Sequence, residues 1–307
     1  MGVLIGFAII VAVIAVGYLI GRFELLGPAA EHVLSRLAFF VLSPALLFTV
    51  LAGADVRHLF SALLPISATA ALVDITAFLL IALLIWRRSL PEATIGALSS
   101  GYVNANNIGL PVSVYVLGDA SSSAPVILLQ LIVLAPIALT VLDVSTSGKL
   151  SVGRVLMQPV RNPLIIGSLL GLIVALTHLQ LPAPVLAPFQ LVGAAAVPVI
   201  LLNFGMSLHG RRALAPGTQR KDVILASSLK LAVMPVVAWL LGDLFWHLHG
   251  HQLFAVVVLA ALPTAQNVFN YAQRYGRGVT IARDTVLITT ALSIVALVII
   301  AALLAPS

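Results

Sequence analysis

Three asparagines fall within four residues, Asn104, Asn106 and Asn107, in a 307-residue chain that is 61% hydrophobic and 8% charged. Apolar runs flank them on both sides, so their amides must be satisfied where hydrocarbon offers neither donors nor acceptors. Gly109 and Pro111 follow at once. Proline removes a backbone donor and presses on the preceding turn, which predicts a broken or kinked helix here. Amides beside broken backbone at mid-membrane are the chemistry that holds a polar solute away from water. A surface loop is the plainer reading, since Asn and Gly form turns, but the flanks would then be too short to span.

A second group stands 160 residues on: Pro263, Thr264, Gln266 and Asn267, again a proline amid amides. Asn104, Asn107, Pro111, Pro263, Thr264, Gln266 and Asn267 are therefore the candidate substrate site. Half-helix N-termini would turn unpaired N–H groups toward the midplane, and with amide donors and a lysine nearby that field suits a carboxylate. Two charges lie within apolar runs, Asp74 and Lys230. Each alone is costly in hydrocarbon, and pairing or protonation relieves the cost. They are read as an ion-coupling pair, with a structural pair that fixes helix packing as the alternative. Tyr102 and Asn203 either line the scaffold side of the site or pack. His247, His249 and His251 form a small cluster that a solvated loop explains, so no metal site is assigned and no cofactor is expected.

These residues need helices to carry them. A mean hydropathy of +1.15 makes this an integral membrane protein. Roughly 20 apolar residues make one span. Reading runs against breaks gives ten spans, at 3–21, 31–52, 60–86, 91–117, 122–143, 162–178, 184–208, 222–246, 252–272 and 280–304. Ser89 with Glu92 has capping-box spacing, and Asn162 precedes a first-turn Pro163. There is no cysteine, which excludes disulfides and thiolate metal sites. The first run lacks a basic leader and a cleavage site, so it is read as a retained span.

Arg22, Arg36, Arg87, Arg88, Lys149, Arg154, Arg161, Arg211, Arg212, Arg220, Lys221, Arg274, Arg277 and Arg283 flank the odd-numbered loops, leaving only Arg57 and Lys230 of the 16 basic residues elsewhere. The positive-inside tendency then puts those loops in the cytoplasm and both termini outside. Scattered in short loops, these charges orient helices and do not bind nucleic acid. Ten spans divide into two halves of five, 1–145 and 155–307, and an odd number per half inverts one against the other. Ser43-Pro44 in span 2 and Val197-Pro198 in span 7 correspond, as do the breaks in spans 4 and 9.

The runs Ser43 to Phe48, Asn107 to Pro111, Asn162-Pro163, Phe204 to Leu208, Leu262 to Tyr275 and Thr289 to Ser293 together resemble the auxin efflux carrier family, the bacterial relatives of the plant PIN-FORMED transporters. The resemblance spans essentially the whole chain. It implies an all-α fold of ten transmembrane helices, two inverted five-helix repeats in which helices 4 and 9 are broken and cross. It implies scaffold helices 1, 2, 6 and 7, core helices 3–5 and 8–10, and elevator-type transport across the bacterial inner membrane. The implied partners are a small organic anion, malonate-like or auxin-like, the lipid bilayer, a proton in preference to sodium, and a second copy in a homodimer. Bile-acid sodium symporters share the fold and place a carboxylate four positions before a Gln-Asn pair to ligate sodium; here that position is Leu262. A hard cation prefers charged oxygen, so sodium coupling is the alternative. A membrane-embedded enzyme has no nucleophile or ligand motif in this sequence. A channel fits paired broken spans less well than alternating access does.

Overall fold

In lipid every backbone N–H and C=O must be paired within the protein, so apolar runs close into helices. The computed structural model describes residues 2–54, 62–147, 161–209 and 219–305. Arg57, Lys149, Arg154, Arg211 and Arg212 of the charge count, and most of the link between halves, lie outside them. The helices are α1 (Gly2–Arg22), α2 (Ala30–Ala52), α3 (Leu63–Ile85), α4 (Leu90–Gly101), α5 (Leu110–Tyr115), α6 (Ala120–Thr146) and α7 (Pro163–Leu176). They continue as α8 (Ala183–Ser207), α9 (Arg220–Phe245), α10 (Gly250–Ala260), α11 (Gln266–Tyr275) and α12 (Val279–Leu304). Among the described residues seven of these are long and apolar enough to cross a membrane, and α7 and α10 are shorter apolar helices. Polarity is distributed as a membrane protein requires: Leu84, Phe245 and Leu303 are more than 70% exposed, whereas Asp74, Lys230 and Thr289 are fully buried.

Packing divides the chain into two units. The first holds Met1–Ser61, Asn106–Leu128 and Met157–Arg211; the second holds Ala62–Ala105, Leu129–Leu156 and Arg212–Ser307. Asn106–Leu128, part of the expected core helices 4 and 5, thus falls in one unit with α1, α2, α7 and α8.

Glycine brings the helices of the first unit into backbone contact. A Cβ on Gly17 would overlap the Leu202 carbonyl, and one on Gly171 would come within 2.5 Å of the Phe48 carbonyl oxygen. Gly17 and Gly171 are 154 residues apart (171 less 17), as are Phe48 and Leu202 (202 less 48), so one contact is built twice. Small residues allow this approach, and in lipid, where apolar surfaces gain nothing by leaving the solvent, close packing drives association. Asn162 caps α7 as its spacing predicts, its Oδ1 accepting from the Leu164 N–H at 2.9 Å.

The second unit repeats itself as well. α3 and α9 each end in a π-helical turn, Ile81–Ile85 and Leu241–Phe245, closed by Trp86 and Trp246. These tryptophans are 160 residues apart (246 less 86). The next residues, Arg87 and His247, take positive φ of 52° and 50°. The Arg88 N–H then donates to the Ala82 carbonyl and the Leu248 N–H to the Gly242 carbonyl, both at 2.8 Å. The Arg88 guanidinium reaches further and grips Asp222 with two bonds, at 2.6 and 3.1 Å, fixing the start of α9. Ser89 and Glu92 meet at the predicted spacing, but the serine hydroxyl donates to the Glu92 carboxylate at 3.0 Å and no side chain caps α4. Glu92 also takes Gln219 at 3.5 Å, so its role is to tie α4 to the residue before α9.

Candidate functional site

In the second unit, α4 and α10 each stop after 12 and 11 residues, roughly 17 Å of helix and about half a hydrocarbon core. Neither chain turns back at that point. Tyr102 leaves α4 in an extended conformation, φ −98° and ψ 106°. Val103 pairs with Thr264 in an isolated antiparallel bridge. The Asn104 N–H donates to the Pro263 carbonyl at 2.8 Å, and the Ala265 N–H to the Tyr102 carbonyl at 3.0 Å. Two short extended segments thus cross and satisfy each other's backbone, which is how irregular chain survives inside a buried core.

Hydroxyls brace the crossing. Thr264 is fully buried, and its Oγ1 donates to the Ser99 carbonyl at 2.6 Å. The Thr264 N–H donates to the Thr289 Oγ1 of α12 at 3.1 Å, and that hydroxyl donates on to the Thr285 carbonyl at 2.7 Å. Ser99 and Thr289 hold the crossing although the candidate substrate site does not include them. For Thr289 the sequence carries a signal: Thr285, Thr289 and Ser293 recur every fourth residue along an otherwise apolar helix, marking a polar stripe on one face.

The candidate residues divide between the units. Asn104, Pro263, Thr264, Gln266 and Asn267 are brought together at the crossing in the second unit. Asn104 is buried, whereas Gln266 and Asn267 are half-buried on the first turn of α11. Ala265 sets the start of that helix with no side-chain cap, so no side chain accepts from its first-turn N–H groups. Asn107 and Pro111 lie in the first unit, where Asn106 Nδ2 donates to Asn107 Oδ1 at 2.8 Å. Pro111 lies within a helical run that begins with a π-helical turn, Ala105–Gly109, and continues as α5. The break at residues 102–104 therefore precedes the proline. Asn203 is also in the first unit, its Nδ2 donating to Ser35 Oγ at 2.9 Å, whereas Tyr102 belongs to the second unit.

Asp74 and Lys230 are both fully buried in the second unit. No ion pair joins them among the described residues, although their charges lie within Coulomb range of each other. Lys230 sits in a π-helical turn, Leu229–Val233, and donates to the Ala260 carbonyl at 2.8 Å and to Met234 Sδ at 2.7 Å. Ala260 ends α10, so the ammonium meets the negative end of that half-helix. Neither oxygen of Asp74 has a hydrogen-bond partner. Leu262, at the position where a sodium-ligating carboxylate would stand, is fully buried.

A model of a family described as membrane transport protein matches this chain twice, over residues 3–149 and 147–301. The double match agrees with the contacts built twice within each unit. A curated protein of Rhizobium meliloti (strain 1021), named "Putative malonate transporter", is 26% identical over 289 residues, covering 92% of this chain and 89% of its own.

Proposed function

The chain belongs to the membrane transport protein family, the auxin efflux carrier-like family that its motifs resemble, and from that premise we propose that it is a secondary carrier of small organic anions. The observation that carries the reading is the crossing of residues 102–104 with 263–265, which leaves the first turn of α11 uncapped and sets Gln266 and Asn267 upon it. A carboxylate fits an uncapped helix start flanked by neutral amides, and residues 99–111 and 262–267 include no arginine to hold it too tightly for release. The name of the Rhizobium meliloti relative favours a malonate-like dicarboxylate. Asn104, Gln266 and Asn267 act as the donors and Thr264 braces them; Asn107 and Pro111, in the first unit, are further candidates for substrate contact.

We further read the fold as ten spans in two inverted repeats, in a bacterial inner membrane with both termini outside, working as an elevator. A tag placed after Ser307 is then reached by impermeant reagents from outside intact cells. Labelling from the cytoplasmic side alone would overturn the ten-span reading.

Coupling is read as a proton at Asp74, with Lys230 as the neighbouring fixed charge, since the position of a sodium-ligating carboxylate holds the buried Leu262. Uptake of labelled malonate and a panel of carboxylates and indole acids into proteoliposomes tests this. A carboxylate is expected to accumulate under a pH gradient, with no requirement for sodium. A strict sodium requirement would move the coupling ion to other oxygen ligands, and single-channel currents would replace the carrier with a channel.

A further inference from the structure

Tyr102 is the largest side chain sealed into the crossing, 2% exposed, and its hydroxyl has no hydrogen-bond partner. A buried phenol without a partner is costly unless some state of the protein supplies one. Its surroundings are polar. Because the Tyr102 carbonyl accepts the Ala265 N–H at 3.0 Å, the residue is fixed beside the opening of α11. The hydroxyl lies within interaction range of the Asn267 and Tyr271 side chains, but neither meets it in hydrogen-bond geometry. Asn267 and Tyr271 are four residues apart on α11 and so share one face of it, one turn apart. Asn267 is half-buried, so it is less sealed than Tyr102.

From this geometry we infer that Tyr102 is a positioning residue for the transported anion: its hydroxyl closes on the Asn267 amide when a carboxylate is bound, and fixes the rotamer in which that amide reaches the anion. The inference rests on the carrier reading above. An asparagine amide free to rotate about χ2 presents donor and acceptor faces alternately to an anion, and only the donor face attracts it. A neighbouring hydroxyl can hold either end of that amide, because it donates and accepts. Tyr271, on the same side, completes the polar ring with its own hydroxyl. The crossing thus supplies both a ligand for the anion and the group that keeps the ligand turned toward it.

The test is a double-mutant cycle on malonate uptake by the full chain in proteoliposomes, with thermal stability measured alongside. Tyr102→Phe deletes only the hydroxyl and leaves the ring in place. It is expected to raise KM for malonate about tenfold, the worth of one hydrogen bond to a charged ligand, with a far smaller change in maximal rate and in Tm. Asn267→Ala is expected to raise KM at least as much. In the Asn267→Ala background, Tyr102→Phe is expected to add nothing, because the tyrosine acts only through the amide. Full additivity of the two changes, or an unaltered KM in Tyr102→Phe, would overturn the positioning role while leaving the carrier reading standing. An unaltered KM in Asn267→Ala, or no malonate uptake by the natural sequence, would instead overturn the reading of the site, and the inference with it.

Discussion

Gly205→Leu is expected to remove about 3 kcal/mol or more of stability, the upper range for overpacking, and to lower Tm by roughly 6–12 °C. A Cβ at Gly205 would overlap the Ile14 carbonyl and stand 2.7 Å from the Tyr18 nitrogen and 2.9 Å from the Gly17 Cα. All of these are backbone atoms, so no rotamer change makes room, and α1 and α8 must part. Parting them exposes no apolar surface to water, because lipid replaces it, but it loses the dispersion contacts that hold helices together in a bilayer. Gly53→Ala is the control. Gly53 is also at a helix end, yet its nearest atom is the Thr49 carbonyl oxygen at 3.9 Å and its φ is −99°, so the change is expected to stay within about 0.5 kcal/mol. A further consequence is non-additive. Gly17 and Gly205 face each other across the same contact, so once one alanine has separated the helices the second meets less resistance. The double variant Gly17→Ala with Gly205→Ala should therefore cost less than the two singles together. Unchanged melting of Gly205→Leu in detergent or liposomes would show that the contact is loose.

How much of this architecture a reader of the residues could see depends on which interactions leave a local trace. Hydropathy runs end where polar or turn residues begin, so the outermost spans, 3–21 and 280–304, agree with α1 and α12 to within one residue. The Asn162 cap was visible because caps are local. The breaks were visible as composition, since amides with glycine and proline interrupt an apolar run whose flanks are too short to span alone. Their register was not. Proline does not mark which side of a break it stands on, and here Pro111 lies within the helical run that starts at Ala105 whereas Pro263 lies within the crossing itself. Partners across the chain left no trace at all. Thr264 bonds a backbone carbonyl 165 positions away, and any residue at position 99 would supply that carbonyl. For the same reason the immediate partner of Lys230 was illegible: the sequence displays Asp74 as its opposite charge, whereas the ammonium contacts the Ala260 carbonyl. Helices that are apolar on every side show no stripe that names their neighbours, so the placement of Asn106–Leu128 with the first unit was not readable either.

Removing either buried charge alone, by Asp74→Asn or Lys230→Met, is expected to destabilise by up to about 3–5 kcal/mol, the cost for a directly bonded pair, because the remaining group loses the opposite charge within Coulomb range and must stay unmatched or neutralise. The lysine variant carries a second loss: the Ala260 carbonyl at the end of α10 forfeits its donor, and the half-helix forfeits the positive group at its negative end. The aspartate variant carries no such loss, since neither Asp74 oxygen holds a hydrogen bond that the change would break. Lys230→Met should therefore be the less stable of the two. The double variant removes both charges, so it should regain the electrostatic part of the loss and fall short of the natural sequence only by the carbonyl's missing donor. Transport separates the two readings of the pair. If the charges only hold α3 and α9 in place, uptake returns together with stability. If Asp74 carries the coupled proton, the double variant melts nearly as the natural protein does, yet a pH gradient no longer drives accumulation. The second result is expected, because a carboxylate buried without a hydrogen-bond partner contributes little to packing and has its ionisable oxygens uncommitted. Thermal melts and pH-driven malonate uptake for the two singles and the double decide the matter, and intact pH dependence in the double variant would remove Asp74 from the coupling step.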